Sequence, residues 1–280
     1  MIYLILAIVC SVAITIIMRI STDKVKGNRS MLAMNYLMCF ALGIANTGLD
    51  SLFPSSPALG ATIGFGAVNG ALFLGGFSML QFCIKRSGMV LSSLFMKLGL
   101  LVPMVISIVL FREYPSAVQW LGFILAVAAI IMINSGSDTK EKGSRFGFSL
   151  IALLLLGGSC DGTNKIFEEL FPAELSAQFL LYTFAFALIY CLVLVIKDRE
   201  KPGKAEVFFG LIIGIPNYYC SRFLLLSLSH VPAVIVYPSF SVATILFVTL
   251  FGIFAFREKL TARRWVALGI IAAALILLNM

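Results

Sequence analysis

The sequence predicts an all-α integral membrane protein, with ten transmembrane helices in a 5+5 inverted-topology repeat. Three observations predict it. Of the 280 residues, 60% are hydrophobic and only 12% charged, with a mean hydropathy of +1.03. Twenty-one basic and 13 acidic residues cannot coat a soluble globule of 30.5 kDa, so apolar runs at this density mean membrane spans. The runs separate into ten, and one segment recurs half a chain later. Disorder, a disulfide scaffold and a soluble nucleic-acid-binding domain are excluded by the same composition.

A helix crossing about 30 Å of hydrocarbon needs about 20 residues. Cut at charged or Pro/Ser-rich breaks, the first run is 2–20. It has neither a basic leader nor a small-residue cleavage site, so it reads as a span and not as a removed signal peptide. The second is 31–49. The third, 59–83, carries Gly60, Gly64, Gly66, Gly70, Gly75 and Gly76, a small-xxx-small pattern that permits close helix packing. The fourth, 88–111, contains Lys97 and Pro103, and the fifth is 116–134. The sixth and seventh are 147–167 and 174–196. The eighth, 207–228, and ninth, 233–256, contain Pro216 and Pro238, and the tenth is 262–279. Pro103, Pro216 and Pro238 are expected to interrupt their helices and serve as hinges or static kinks. No stretch remains for a soluble domain.

Alternating the loops between two sides puts 17 of the 21 basic residues on one side. Only Arg112 and Lys165 fall on the other, while Lys97 and Arg222 lie within spans. The positive-inside rule assigns the rich side to the cytoplasm and both termini to the outside. The net charge of +8 is therefore a topology signal, and no nucleic-acid partner is implied. The expected location is the bacterial cytoplasmic membrane.

The segment FREYPSAVQWLGFILAVAAIIMIN (111–134) aligns with FREKLTARRWVALGIIAAALILLN (256–279) at an offset of 145. Nine of 24 positions are identical, where apolar bias alone gives roughly two. The repeats are 1–134 and 147–280, joined by a cytoplasmic linker at 135–146. Five is odd, so the second copy enters from the opposite side. That architecture points to a transporter with its site near the midplane.

Ten helices in such a repeat, with FRE–x6–W after the fourth span of each half, resemble the EamA-type branch of the drug/metabolite transporter superfamily. The resemblance covers the whole chain. It implies a basket of helices around a central cavity lined mainly by spans 1, 3, 4, 6, 8 and 9, with spans 5 and 10 peripheral. The family's small-residue stretch corresponds to Ser11-Val12-Ala13 in the first span and to Gly157-Gly158-Ser159 in the sixth. Lys165 follows where the family often carries a basic residue, and Ile20, next to Arg19, occupies the matching first-half position.

Intramembrane charges are costly and usually face a cavity. Lys97 lies nine residues into its span, roughly 14 Å deep, where snorkelling to an interface is difficult. Asp161 and Arg222 lie at similar depths in the outer third, with Asn164 and Lys165 one turn further out than Asp161. They read either as an Asp161–Arg222 ion pair or as an outer gate, and a breakable pair serves as both. Asn69, Asn217, Tyr218, Tyr219 and Tyr237 add polar and aromatic groups, each equally readable as interface packing. The expected substrate-binding set is Lys97, Arg222, Tyr218, Asn217, Asn69 and Tyr237; the gate or coupling set is Asp161, Asn164 and Lys165.

Glu113 and Glu258 suit the positive ends of the fifth and tenth helices, beside Arg112 and Arg257. His230, the one histidine, falls in an outer loop and supports no metal site. Cys10, Cys39, Cys83, Cys160, Cys191 and Cys220 have no ligand spacing and read as small buried hydrophobes. No H-E-x-x-H, G-x-S-x-G, D-D-x-x-D or Walker A motif is present, so neither an enzyme nor an ATP-driven pump is expected. No cofactor or metal is expected; the partners are a small solute and lipids, with protons as a candidate coupling ion and a monomer sufficient to complete a cavity. Two basic groups against one acid favour a carboxylate-bearing metabolite, amino acids being the family default. The alternatives are a phosphorylated, nucleotide-type or cationic solute, or lipid handling.

Overall fold

The computed structural model describes residues 2–99, 101–112, 116–134, 145–231, 233–255, 262–278 and 280. Among these residues there is no strand. The helices are α1 (Ile2–Ser21), α2 (Asn28–Thr47), α3 (Leu59–Ser87), α4 (Met89–Leu98), α5 (Leu101–Phe111), α6 (Ala117–Asn134), α7 (Arg145–Leu170), α8 (Ser176–Lys197), α9 (Lys204–Leu228), α10 (Ala233–Phe254) and α11 (Ala262–Leu278). They coincide with the apolar runs to within about one turn, the fourth run being divided into α4 and α5. Among the described residues six helical stretches are long and apolar enough to cross a membrane. Most of linker 135–146, together with Glu113, Arg257 and Glu258, lies outside the described residues.

Lipid offers no hydrogen bonds, so a span must satisfy its own backbone, and helices do this. The outer surface agrees. Ile5, Val9, Val109, Phe148, Ile196 and Phe254 are all more than half exposed, an apolar belt that hydrocarbon tolerates and water does not. Gly48 and Gly88 end α2 and α3 at φ +81° and +82°, and their N–H groups bond back to the carbonyls of Ile44 and Ile84. The turn at Gly88 lets α3 reverse directly into α4.

The prolines behave differently from expectation. Pro103 has no N–H to offer the carbonyl of Gly99 four residues earlier. The Val102 N–H takes that carbonyl instead, at 2.9 Å, where α4 has ended at Leu98 and Pro103 stands in the first turn of α5. Pro216, by contrast, lies inside a continuous α9, so it does not interrupt its helix. α10 likewise continues through Pro238, whose side chain lies outside the described residues. Neighbouring helices support a proline-bearing backbone in lipid, so a proline alone does not cut a span.

Packing divides the helices into two bundles that cut across the order of the chain. α1, α2, α9 and α10 form the first, and α3, α4, α5, α7 and α8 the second. The bundles meet chiefly where α2 crosses α8 and where α4 crosses α10, while α6 pairs with α11 to one side. Two crossings of the same design hold the bundles together internally. On α3, a Cβ at Gly66 would stand 2.7 Å from the Tyr182 Cβ, and one at Gly70 would stand 2.6 Å from the Thr183 carbonyl oxygen of α8. On α9, a Cβ at Gly210 would stand 2.5 Å from the Met34 Cβ, and one at Gly214 would stand 2.7 Å from the Asn35 carbonyl oxygen of α2. In both, Gly-x-x-x-Gly brings two backbones into contact.

At one end, acids of the α8–α9 connection and of the first turn of α9 grip the start of α2. Glu206 Oε1 accepts the N–H groups of Lys26 (2.9 Å) and Gly27 (3.1 Å). Glu200 Oε2 accepts the Ser30 N–H (3.0 Å) and hydroxyl (3.1 Å), and Arg29 pairs with Asp198. These carboxylates occupy the positive end of a helix whose first N–H groups have no internal partners. At the other end the corresponding contact is uncharged: Gln178 Nε2 donates to the Ser51 carbonyl (3.1 Å) and the Tyr182 hydroxyl to that of Leu52.

Candidate functional site

A cavity of about 90 Å³ opens at the seam of the two bundles, enough for several waters or a small solute. A glycine contact builds its charged wall. A Cβ at Gly99 would stand 2.7 Å from the Gly158 backbone N and 2.8 Å from the Leu154 carbonyl oxygen. The break after α4 therefore lies directly on α7. Lys97 is two residues before that contact and Asp161 three residues after Gly158, so both side chains reach the same space.

Lys97, Asp161, Asn164 and Asn217 all line the cavity. The Lys97 ammonium stands 3.8 Å from the centre of the Phe240 ring. Among the described residues no ion pair joins Lys97 to Asp161, or Asp161 to Arg222, within 4 Å. The cavity thus holds a cation and an anion that are not bonded to each other. Asn164 Oδ1 accepts from Asn69 Nδ2 (3.2 Å), which also approaches the Thr183 hydroxyl (3.4 Å). Asn217 Nδ2 donates to Asn35 Oδ1 (3.2 Å). These bonds fix the two carboxamides against the bundles behind them. Ser11, Thr15, Ser93 and Ser221 add hydroxyls, and Phe73, Phe77 and Leu224 supply an apolar face.

α10 closes the seam with one helical face. The Tyr237 hydroxyl donates to the Asp161 carbonyl (3.1 Å), Phe240 meets Lys97, and the Ser241 hydroxyl donates to the Lys97 carbonyl (3.4 Å). Positions i, i+3 and i+4 share a face, so these contacts are one strip.

The other expected site residues stand elsewhere. Asn69 and Tyr237 are behind the wall, touching it through Asn164 and Asp161. Tyr218 is fully buried off the cavity, its ring against Phe184 and Tyr219. Arg222 is half-buried and not on the wall. Lys165 is buried beside its i+4 neighbour Glu169, with the Phe111 ring 5.8 Å away. Three cysteines differ from the reading as buried hydrophobes: Cys10, Cys160 and Cys220 are half-buried, and the last two line the cavity. Phe240 was missed, because one phenylalanine among 24 carries no signal until Lys97 is placed against it. Among the described residues no cluster of three or more His, Cys, Asp or Glu is arranged for a metal.

An all-helical membrane protein whose charged and polar groups converge on a cavity between two bundles has the make-up of a carrier for small solutes. Residues 148–280 match the EamA-like transporter family. That match spans just under half of the chain, and it makes this half similar to a family of membrane transporters. The chain is 22% identical to an uncharacterized protein of Haemophilus influenzae (strain ATCC 51907 / DSM 11121 / KW20 / Rd), over 96% of this chain and 93% of that one. In fold it is similar to a protein of known crystal structure, with a TM-score of 0.67 over 99% of this chain and 95% of that one, at 17% identity.

Proposed function

We propose that the protein is a secondary transporter that moves a small carboxylate-bearing polar metabolite, an amino acid or a related solute, by alternating access. The observation that carries this reading is the placement of Lys97 and Asp161 in one cavity without an ion pair between them. A zwitterion complements both: its carboxylate meets Lys97, its ammonium meets Asp161, and its side chain meets Phe73, Phe77 and Leu224. Two desolvated opposite charges favour such a ligand over a singly charged one, which leaves one of them bare.

The moving bodies are the two bundles. Their packing supports the inverted repeat of 1–134 and 147–280, because advancing each helix by half a chain exchanges the α3–α8 crossing with the α9–α2 crossing. The α2–α8 crossing maps onto itself and is the natural pivot. Rocking there opens the cavity to one end and then the other. The base-rich end, which carries the Glu200 and Glu206 contacts, is cytoplasmic by the positive-inside rule, and the reading has both termini outside a bacterial cytoplasmic membrane. Asp161, with Asn164 beside it and Lys165 one turn outward, forms the outer gate and the group through which protons couple to transport. A single chain is the transporting unit.

The test is thermal unfolding of the detergent-purified protein against metabolites grouped by charge, followed by flux in proteoliposomes. A ligand at 100 times its Kd stabilises the folded state by about 2.7 kcal/mol. Zwitterionic or anionic compounds should raise the melting temperature of the wild type and not of Lys97→Ala, and should be transported. Stabilisation by cations alone, by phosphorylated compounds alone, or by nothing in the panel would remove the carboxylate reading.

A further inference from the structure

We propose that Phe240 is the resident partner of Lys97. Its ring face holds the ammonium in the empty carrier, and an anionic group of the solute takes its place, releasing α10 from α4. This rests on the reading of the cavity as a solute site.

The geometry is specific. At 3.8 Å from the ring centre the ammonium is well inside the range of a cation–π contact. Phe240 is buried at 4% exposure, which removes competing water. Among the described residues no carboxylate lies within ion-pair distance of Lys97, so the ring is the group that faces its charge. The two residues also belong to different bundles, Lys97 to α4 and Phe240 to α10. Their neighbours on the same strip, Tyr237 and Ser241, bond only to backbone carbonyls, which a solute does not compete for. Phe240 alone on that strip engages a group that the solute also seeks.

A carrier must close over its cavity both loaded and empty. A bare ammonium in a low-dielectric cavity resists closure without solute. A ring face offsets part of that cost but binds an ammonium more weakly than a carboxylate does. The contact is therefore firm enough to let the empty carrier close and weak enough to be displaced. Phe240 thereby sets the affinity for anionic solutes and couples their arrival to the separation of α4 from α10.

Cys160 and Cys220, already on the cavity wall, provide a readout that needs no identified solute. The full chain in lipid nanodiscs is labelled with methanethiosulfonate reagents, anionic ethylsulfonate and cationic ethyltrimethylammonium, and the rates are read at both cysteines by peptide mass. The ratio of anionic to cationic rates reports the positive charge that the cavity presents. Phe240→Leu keeps an apolar side chain and removes the ring face; it should raise the ratio about three- to tenfold. Phe240→Trp should leave it at or below the wild-type value. Lys97→Met should lower the ratio, and Phe240→Leu should then no longer raise it. Equal acceleration of both reagents in Phe240→Leu, or a response to Trp equal to that to Leu, would show that the ring only fills space and would overturn the proposal. If Lys97→Met leaves the ratio unchanged, the Lys97 charge does not reach the cavity, and the solute-site reading fails as well. Gel filtration and thermal unfolding of each variant establish that it is folded.

Discussion

Replacing Gly70 with alanine tests the inter-helix contact that the architecture depends on most. The new Cβ would lie 2.6 Å from the Thr183 carbonyl oxygen, 2.8 Å from the Ala187 backbone N and 3.0 Å from the Phe186 Cβ. Two of these three atoms are backbone and cannot rotate away, so α3 and α8 must separate. Overpacking of this kind costs about 1–3 kcal/mol. Against it stands the gain of alanine over glycine within a helix, about 0.5–1 kcal/mol. The net expectation is a loss of up to about 2.5 kcal/mol. Gly64, six residues earlier on α3, is the control, because a Cβ there meets nothing within 4 Å. Gly64→Ala should show the alanine gain alone and be neutral or stabilising. Both are measured by equilibrium unfolding in mixed micelles with increasing SDS. Equal unfolding curves for the two variants would refute the argument that backbone contact at Gly70 holds the α3–α8 pair.

Two further outcomes follow from contacts at the ends and at the break. Glu206→Gln keeps the shape but removes the charge from the carboxylate that accepts the Lys26 and Gly27 N–H groups. It should weaken the grip by about 1 kcal/mol and speed hydrogen exchange of those two amides several-fold, while amides in the middle of α2 stay unchanged. Pro103→Ala restores an N–H that can reach the Gly99 carbonyl, now held by Val102. α4 and α5 should straighten and swing Lys97 off the cavity wall, seen as a longer spin-label distance between α4 and α7 and a lower anionic labelling ratio at Cys160.

The helices were legible because apolar runs of span length, separated by charge, admit few other readings. Lys97 and Asp161 were legible for the related reason that a charge within such a run is conspicuous. What could not be read was adjacency. Arg222 is as conspicuous as Lys97 in sequence, yet its helix face turns it off the wall, and uniformly apolar helices give no periodicity from which to infer facing. Pro216 and Pro103 look alike in sequence, but Pro216 is in the middle of α9 whereas Pro103 stands in the first turn of α5, just after α4 ends beside Gly99 and against Gly158 of another helix. The roles of Glu200 and Glu206 were not legible either, because they bond to backbone groups some 170 to 180 residues away, and backbone groups leave no mark in a sequence.

The interleaving of the two bundles has a consequence for biogenesis. The glycine strip of α3 finds its partner only when α8 has been synthesised, and α2 waits for both α8 and α9. Until then the first five spans sit in the bilayer with Asn35 Oδ1 and Asn69 Nδ2 lacking Asn217, Thr183 and Asn164, the groups that later bond to them. The first half is therefore an assembly intermediate with unmet polar groups in lipid, open to quality-control proteases. A chain stopped after the fifth span should be degraded, whereas two half-chains made together in one cell should protect each other.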